Sequence, residues 1–256
     1  MDRFDLYELC VQSPGDLVPL LRAIHGRSSR VLGEDFAGTA ALSRAWAQAN
    51  PEHRAIAVDH DGATLVLRPG HDRVQRIVGD VRTATDPDSH RCDIIDVGNF
   101  SIGQLHTRGD LVDYLRCARV GPGGVFICDT YAGESAFQTG RVHRDHVCPD
   151  GIHVRYSWEQ READPLTGMV ANALQFRLMR GGVVQEEIND AFVYRWRLWS
   201  VPELRDAMSE AGLPATSVYA KLPSAIDTEG NAYMAPVTDP DDLDDSFIVY
   251  VAGRTG

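Results

Sequence analysis

Residues 30–65 constrain the fold of this chain most strongly, because short apolar runs there alternate with a glycine turn and a helix. Residues 29–32 are too few for a helix before the next glycine, whereas residues 39–49 keep alanine, leucine and tryptophan on one helical face. A second apolar run, residues 55–59, ends in Asp59. The sequence therefore predicts a strand, a turn, a helix and a second strand with a carboxylate at its tip.

The turn between the first strand and the helix suits a small anionic group. Gly38 lets the backbone approach a ligand closely, and Thr39 is expected to begin the helix, whose dipole favours a carboxylate or phosphate. A P-loop is excluded because no lysine follows Gly38. The dinucleotide fingerprint fails because Gly33 and Gly38 have the wrong spacing. These two exclusions leave a smaller anion, neither a nucleotide triphosphate nor a dinucleotide, as the predicted ligand of the turn.

Further predicted strands also end in polar residues. Asp59, about twenty residues beyond the glycine turn, is placed to accept hydrogen bonds from ribose hydroxyls. The third strand, residues 74–78, leads into Asp80. The fourth, residues 92–97, is almost continuously apolar, as a central parallel strand should be, and leads into Asn99. These residues are expected at the carboxyl edge of an open α/β sheet, where ligands bind.

This order of motifs resembles that of the class I S-adenosylmethionine-dependent methyltransferases. Their motif I, usually written E/D-x-G-x-G-x-G, aligns with Glu34, Phe36, Gly38 and Ala40, so that only the middle glycine is kept. A Pro-Gly-Gly turn before an apolar fifth strand also follows the family. The resemblance extends over nearly the whole chain. It implies an α/β fold with a seven-stranded, mostly parallel, Rossmann-like sheet whose last strand is antiparallel.

The resemblance also implies S-adenosyl-L-methionine as cofactor, with S-adenosyl-L-homocysteine as product. Asp59 would then bind the ribose and His60 would flank the adenosine. Asp80 would meet the adenine amino group and the N–H of Val81 a ring nitrogen, because adenine offers both a donor and an acceptor. The predicted cofactor-binding residues are Glu34, Phe36, Ala37, Gly38, Asp59, His60, Asp80, Val81, Asn99 and Phe100.

Two segments are predicted to cover this site. Residues 1–28 read as two amphipathic helices that form a lid. Between residues 150 and 197 the pattern changes to two-residue alternation with turns, which predicts an inserted antiparallel sheet of three strands. Similar insertions occur in methyltransferases of small amines and amino sugars. Its exposed edge makes a homodimer an alternative role. The predicted substrate-binding residues are Tyr7, Tyr131, Trp158 and Trp196.

The predicted reaction is methyl transfer to a nitrogen or oxygen of a small molecule by in-line displacement. Orientation of the reacting groups contributes about 7–11 kcal/mol in such reactions, and exclusion of water adds to it. His106 is the predicted base for an acceptor that enters as an alcohol or ammonium, ahead of Asp129, Tyr131 and His153. Because Phe36 and Ala40 replace two glycines of motif I, a non-catalytic protein that only binds S-adenosylmethionine remains an alternative. A nicotinamide-dependent oxidoreductase also stays open, although the glycine fingerprint is missing.

Composition and charge limit the kinds of partner that this chain is expected to bind. A chain of 256 residues can bury a full core, and we expect a single domain over residues 1–256. The net charge of −12 disfavours nucleic acid. The start lacks a signal-like pattern, so we expect a cytoplasmic protein without a membrane partner. The five cysteines lack zinc-site spacing and the acidic residues 239–245 lack a calcium-loop pattern, so no metal site is predicted.

Overall fold

A seven-stranded sheet forms the centre of the computed structural model, which describes residues 1–86 and 88–255. The strands are β1 (Val31–Asp35), β2 (Arg54–Asp59), β3 (Val74–Val78), β4 (Cys92–Val97), β5 (Val120–Gly133), β6 (Gly140–Val147), β7 (Ile152–Asp164), β8 (Met169–Arg180), β9 (Val183–Arg197), β10 (Ala215–Ala220), β11 (Ala225–Ile226), β12 (Ala232–Tyr233) and β13 (Ser246–Arg254). The α-helices are α1 (Arg3–Tyr7), α2 (Pro14–His25), α3 (Ala41–Ala49), α4 (Gly62–Leu65), α5 (Arg108–Cys117) and α6 (Val201–Glu210).

The strand order of the central sheet is β10-β13-β5-β4-β1-β2-β3. Strands β1 to β5 pair in parallel, whereas β13 is antiparallel to both β5 and β10. The predicted seven-stranded, mostly parallel sheet with an antiparallel last strand is therefore confirmed. Because strands β1 to β5 are parallel, their carboxyl ends meet at one edge, which we call the carboxyl edge.

Apolar side chains on both faces of the sheet are covered by helices. Ile94 packs on one face with Leu21 of α2 and Trp46 of α3. Its neighbour Ile95 points to the opposite face and packs with Leu111 of α5. This alternation along β4 explains why the strand reads as continuously apolar, since both of its faces are buried.

A buried ion pair supports the carboxyl edge from the α5 side. Arg119 and Asp35 have fully buried side chains, and Arg119 donates from Nη2 to Asp35 Oδ1 at 2.7 Å. The hydroxyl of Tyr114 donates to Asp35 Oδ2 at 2.7 Å. Asp35 is the last residue of β1, so these contacts hold the strand end just before the glycine turn.

A second sheet of four antiparallel strands, in the order β6-β7-β8-β9, follows β5. The prediction of three strands was wrong, because β6 begins at Gly140 and pairs with β7 along its length. Strand β6 is almost entirely exposed and lacks an apolar alternation, so its sequence carries no strand signal. The inner face of the other three strands packs on Leu6 and Cys10 of the N-terminal segment.

The N-terminal segment (residues 1–28) is anchored by charged residues. Helix α1 continues as a π-helical turn, Glu8–Gln12, before α2 begins. Arg68 pairs with the carboxylates of Asp2, Asp5 and Glu8. No helix among residues 1–86 and 88–255 combines the length and apolar character needed to cross a membrane.

Candidate active site

The glycine turn after β1 keeps a backbone that normally requires glycine. Phe36, Gly38 and Ala40 have φ angles of 57°, 53° and 58°. These are the positions aligned with the three glycines of motif I, and the left-handed conformation costs a residue with a side chain about 1–2 kcal/mol. The turn therefore has a left-handed backbone at all three aligned positions, although two of them carry a side chain.

The helix after this turn begins one residue later than predicted. Ala40 is its N-cap, and the prediction that Thr39 begins the helix was wrong. The hydroxyl of Thr39 instead donates to Glu8 Oε1 at 2.7 Å, which ties the N-terminal segment to the turn. Glu34 supports the start of α3, because its Oε2 accepts from the N–H of Ser43 at 2.8 Å. Burial raises the pKa of Glu34 to about 7.

Asp59 connects the glycine turn to the end of β2. Its Oδ2 accepts from the N–H of Gly38 at 2.7 Å, and its Oδ1 accepts from the N–H of Asp61 at 2.8 Å. The residue is only 8% exposed. Each carboxylate oxygen has two lone pairs, so one acceptor position on each stays available to a ligand. His60 Nδ1 lies 3.5 Å from Asp59 Oδ1.

A cleft of about 300 Å³ runs between the ends of β2, β3 and β4. Asp80 lies in it and forms an ion pair with Arg82 at 2.7 Å, and Arg82 also donates to Asp110 at 2.8 Å. The guanidinium of Arg82 lowers the pKa of Asp80, which keeps this carboxylate ionised. The lining residues are Phe36, His60, Gly79, Asp80, Val81, Arg82, Gln104, Leu105, His106 and Asp110.

His106 lies in this cleft beside Asp80 rather than among the aromatic residues of the second sheet. Its Nε2 is 2.9 Å from the carbonyl oxygen of Arg195 on β9. A carbonyl only accepts hydrogen bonds, so Nε2 must carry the proton and Nδ1 is the nitrogen left to accept one. His153, another candidate base, is exposed on β7.

Asp129 shapes the loop that carries Asn99 and Phe100. It is at the carboxyl edge on β5 and accepts from the N–H of Phe100 at 2.7 Å and from that of Asn99 at 3.1 Å. Both loop residues have left-handed backbones, with φ of 61° and 55°. Burial raises the pKa of Asp129 to about 6, whereas the two N–H donors lower it. This carboxylate therefore positions the loop.

Four aromatic rings meet at the tip of that loop. The ring centroid of Phe100 is 5.1 Å from Tyr131, 5.4 Å from Trp158 and 6.1 Å from Trp196. The structure thus brings together three of the four predicted substrate-binding residues. The fourth, Tyr7, packs on Phe192 at 5.0 Å, and burial raises its pKa well above the usual range.

Three buried polar residues on strands β4, β7 and β8 were missed by the sequence analysis. Tyr131 donates from its hydroxyl to Gln160 Oε1 at 2.7 Å. Asn172 is fully buried, and neither polar atom of its side chain has a hydrogen-bond partner among the described residues. Asp96 is buried at the end of β4. For Asn172 and Asp96 the available signal is a polar residue at an inward position of a mostly apolar strand.

Comparisons with known proteins bear on the fold. No protein-family model matches this chain, and no curated protein sequence matches it. DesVI of Streptomyces venezuelae has a similar structure, with a TM-score of 0.68 and 17% identity over 99% of this chain and 97% of DesVI. CalS10 of Micromonospora echinaspora, an amino pentose methyltransferase solved with S-adenosylmethionine, has a TM-score of 0.63 and 17% identity over 95% of this chain and 91% of its own.

An S-adenosylmethionine-dependent methyltransferase of Clostridium acetobutylicum has a TM-score of 0.62 and 15% identity over 99% of this chain and 97% of its own. These similarities cover nearly the full length of both partners, including the second sheet. At such low identity they establish the architecture and not the activity. The chain therefore has the fold of the class I S-adenosylmethionine-dependent methyltransferases, which confirms at the level of fold the resemblance found in its sequence.

Proposed function

We propose that this protein transfers a methyl group from S-adenosylmethionine to a nitrogen or oxygen of a small molecule. The observation that carries the proposal is the hydrogen bond between Asp59 and the N–H of Gly38. It fixes a turn with a left-handed backbone beside a cleft that contains Asp80. The known activity of CalS10 as an amino pentose methyltransferase supports the same conclusion.

The residues of the site fit this cofactor. The unused lone pairs of Asp59 suit ribose hydroxyls. Both oxygens of Asp80 accept from Arg82, so Asp80 would have to give up part of that contact to accept from the adenine amino group. The turn at Gly38 and the loop at Asn99 would hold the amino-acid portion. When bound, S-adenosylmethionine supplies an electrophilic methyl group.

The work of the protein is then to orient the acceptor and to exclude water. Phe100, Tyr131, Trp158 and Trp196 form a continuous aromatic surface between the carboxyl edge and the second sheet. Such a surface removes water from the reacting groups and suits an acceptor small enough to be covered. An amine that arrives deprotonated needs no base. His106, the predicted base, lies beside Asp80 at the proposed adenine end of the site, so an alcohol or ammonium acceptor among the aromatic rings would need a different base.

Calorimetric titration with S-adenosylhomocysteine, run beside NAD, tests the cofactor. We expect S-adenosylhomocysteine to bind in the micromolar range and NAD not to bind. NAD binding without any response to S-adenosylhomocysteine would favour the oxidoreductase. Transfer of labelled methyl to amines, phenols or sugars tests the activity, and cofactor binding without turnover on any of them would favour a non-catalytic binding protein.

Two further expectations, the location and the oligomeric state, stay predictions. The cytoplasmic location and the homodimer through the second sheet rest on sequence arguments alone. Gel filtration with light scattering measures the oligomeric state, and a monomer at micromolar concentration would contradict the dimer.

A further inference from the structure

The second sheet carries a buried amide among the aromatic residues of its inner face. Asn172 on β8 lies opposite Gln160 on β7 and Tyr194 on β9, and residues directly opposite on antiparallel strands share a face. Trp158 and Trp196 are its diagonal neighbours on the same two strands. The Asn172 amide is therefore part of the aromatic surface at which we place the acceptor.

Neither polar atom of the Asn172 side chain is satisfied by the protein. The residue is 0% exposed, and its Oδ1 and Nδ2 have no hydrogen-bond partner among the described residues. Its neighbour Gln160 already donates to the carbonyls of Ala136 and Gln138 and accepts from the hydroxyl of Tyr131. A buried amide without partners is destabilising, so a bound group that supplies those partners gains affinity.

The indole of Trp196 presents a second unsatisfied group on this face. Trp196 is 4% exposed, and its Nε1 also lacks an acceptor within the part of the chain that the structure describes. Gly103 packs closely against it, because a methyl group at Gly103 would lie 2.8 Å from Trp196 Cβ. Trp46 and Trp199 are buried too, yet each donates to a backbone carbonyl. Burial alone therefore does not explain the unpaired N–H of Trp196.

A cavity of about 10 Å³ adjoins Trp196. Phe100, Asp129 and Tyr131 also line it, which places it between the second sheet and the loop after β4. A cavity of this volume holds about one group of the size of a water molecule. Asn172 lies near the same tyrosine, since burial raises the pKa of Tyr131 to about 12 and the Asn172 amide opposes that rise. The space therefore suits one small polar substituent.

The unsatisfied atoms select the chemistry of that substituent. Asn172 supplies a donor and an acceptor, whereas Trp196 supplies a donor only. One hydroxyl can donate to Asn172 Oδ1 and accept from Trp196 Nε1. A carboxylate would leave Oδ1 without a donor and would meet Asp129, which lines the cavity. An ammonium would leave the indole N–H without an acceptor.

We propose that Asn172 and Trp196 bind a hydroxyl group of the methyl acceptor and thereby select hydroxylated acceptors. The inference rests on the proposed function, since it requires the acceptor to lie at the aromatic surface. Both residues hold a substituent of the acceptor and not the atom that receives the methyl group. They are specificity-determining residues and have no part in binding the cofactor.

Binding of matched ring amines to the protein saturated with S-adenosylhomocysteine tests the proposal. The probes are cyclohexylamine and the positional isomers of aminocyclohexanol, which add one hydroxyl to it. Calorimetry measures the Kd of each. Two neutral hydrogen bonds correspond to about 5- to 150-fold in affinity. We expect at least one aminocyclohexanol to bind the wild type more tightly than cyclohexylamine by that factor.

Two variants remove the unsatisfied atoms separately. Asn172→Leu replaces the amide by an apolar side chain of similar size, and Trp196→Phe removes the indole N–H but keeps an aromatic ring. Each should reduce the preference for the aminocyclohexanol to less than about threefold and change the affinity for S-adenosylhomocysteine by less than about threefold. Gln175→Leu is the matched control, because Gln175 lies on the opposite face of β8 and donates to Glu159 at 2.9 Å. It should keep the full preference.

Retained binding of S-adenosylhomocysteine shows that each variant is folded. If the wild type binds S-adenosylhomocysteine but prefers no aminocyclohexanol, or binds none of the amines, the hydroxyl site is overturned and the proposed function stands. Failure to bind S-adenosylhomocysteine would overturn both. The melting temperature of Asn172→Leu should equal or exceed that of the wild type, because an unsatisfied buried amide is removed. A lower melting temperature with an unchanged preference would show that Asn172 is structural and overturn its role.

Discussion

Replacing Asp59 by alanine tests the centre of the proposed site. The carboxylate fixes Gly38 through Oδ2 at 2.7 Å, and its remaining lone pairs face the ribose position in the proposed function. Charge-assisted hydrogen bonds contribute about 1.5–3 kcal/mol each. Loss of two bonds to ribose therefore corresponds to about 3–6 kcal/mol, or roughly 10²- to 10⁴-fold in the Kd for S-adenosylhomocysteine. Isothermal titration calorimetry measures this change directly.

The same substitution leaves the N–H groups of Gly38 and Asp61 without their acceptor. We expect a loss of about 1–3 kcal/mol in the free energy of unfolding, measured by urea titration, because these groups are partly shielded from water. Binding is therefore compared at a temperature where circular dichroism shows Asp59→Ala to be folded.

Asp61→Ala is the matched control. Asp61 caps the short helix α4, and both oxygens of its carboxylate accept from Ala63 or Thr64 of that helix. Its own N–H to Asp59 survives the substitution. We expect the affinity for S-adenosylhomocysteine to change less than about threefold in this control. The reasoning is refuted if folded Asp59→Ala binds S-adenosylhomocysteine as tightly as the control does.

Three further predictions concern stability and the N-terminal segment. Arg119→Met should lower the free energy of unfolding by about 3–5 kcal/mol in urea titrations, because it leaves Asp35 buried without its cation; a loss below about 1 kcal/mol would contradict this. Because burial raises the pKa of Glu34 to about 7, the folded state holds this proton more tightly than the unfolded state. Stability should therefore fall as pH rises from about 4.5 to 7, and Glu34→Gln should make that fall smaller; an unchanged slope would refute the role of burial. Arg68→Met should speed backbone hydrogen exchange in residues 3–12, since Arg68 pairs with three carboxylates of that segment; unchanged exchange would show that apolar packing alone holds it.

The sequence predicted the central sheet well because its signals are local. Short apolar runs separated by helical periods specify parallel strands, and the ends of those strands must meet at one edge. Asp59 ends one strand and Asp80 lies two residues beyond another. The sequence could therefore place both at that edge without information on distant contacts. The structure confirms the sheet, places Asp80 in the cleft and places Asp59 next to His60, which lines the cleft.

The parts that were missed depend on contacts between distant segments. Strand β6 is exposed and polar, and only its pairing with β7 makes it a strand. His106 was considered as a base from its residue type, whereas its ring N–H is engaged by a carbonyl 89 residues away on β9. No local pattern reports such a partner.

The sequence by itself determined the succession of strands and helices and the strand ends that carry the candidate site, because periodicity and turn residues act over a few positions. The seven-stranded sheet was implied by the resemblance of its motifs to the methyltransferases. The tertiary structure alone decided which carboxylates are satisfied. Glu34 gains an N–H donor from α3, and Asp129 gains two from the loop after β4. The free energy of a buried charge depends on what surrounds it in space, and that is settled only when distant segments pack together.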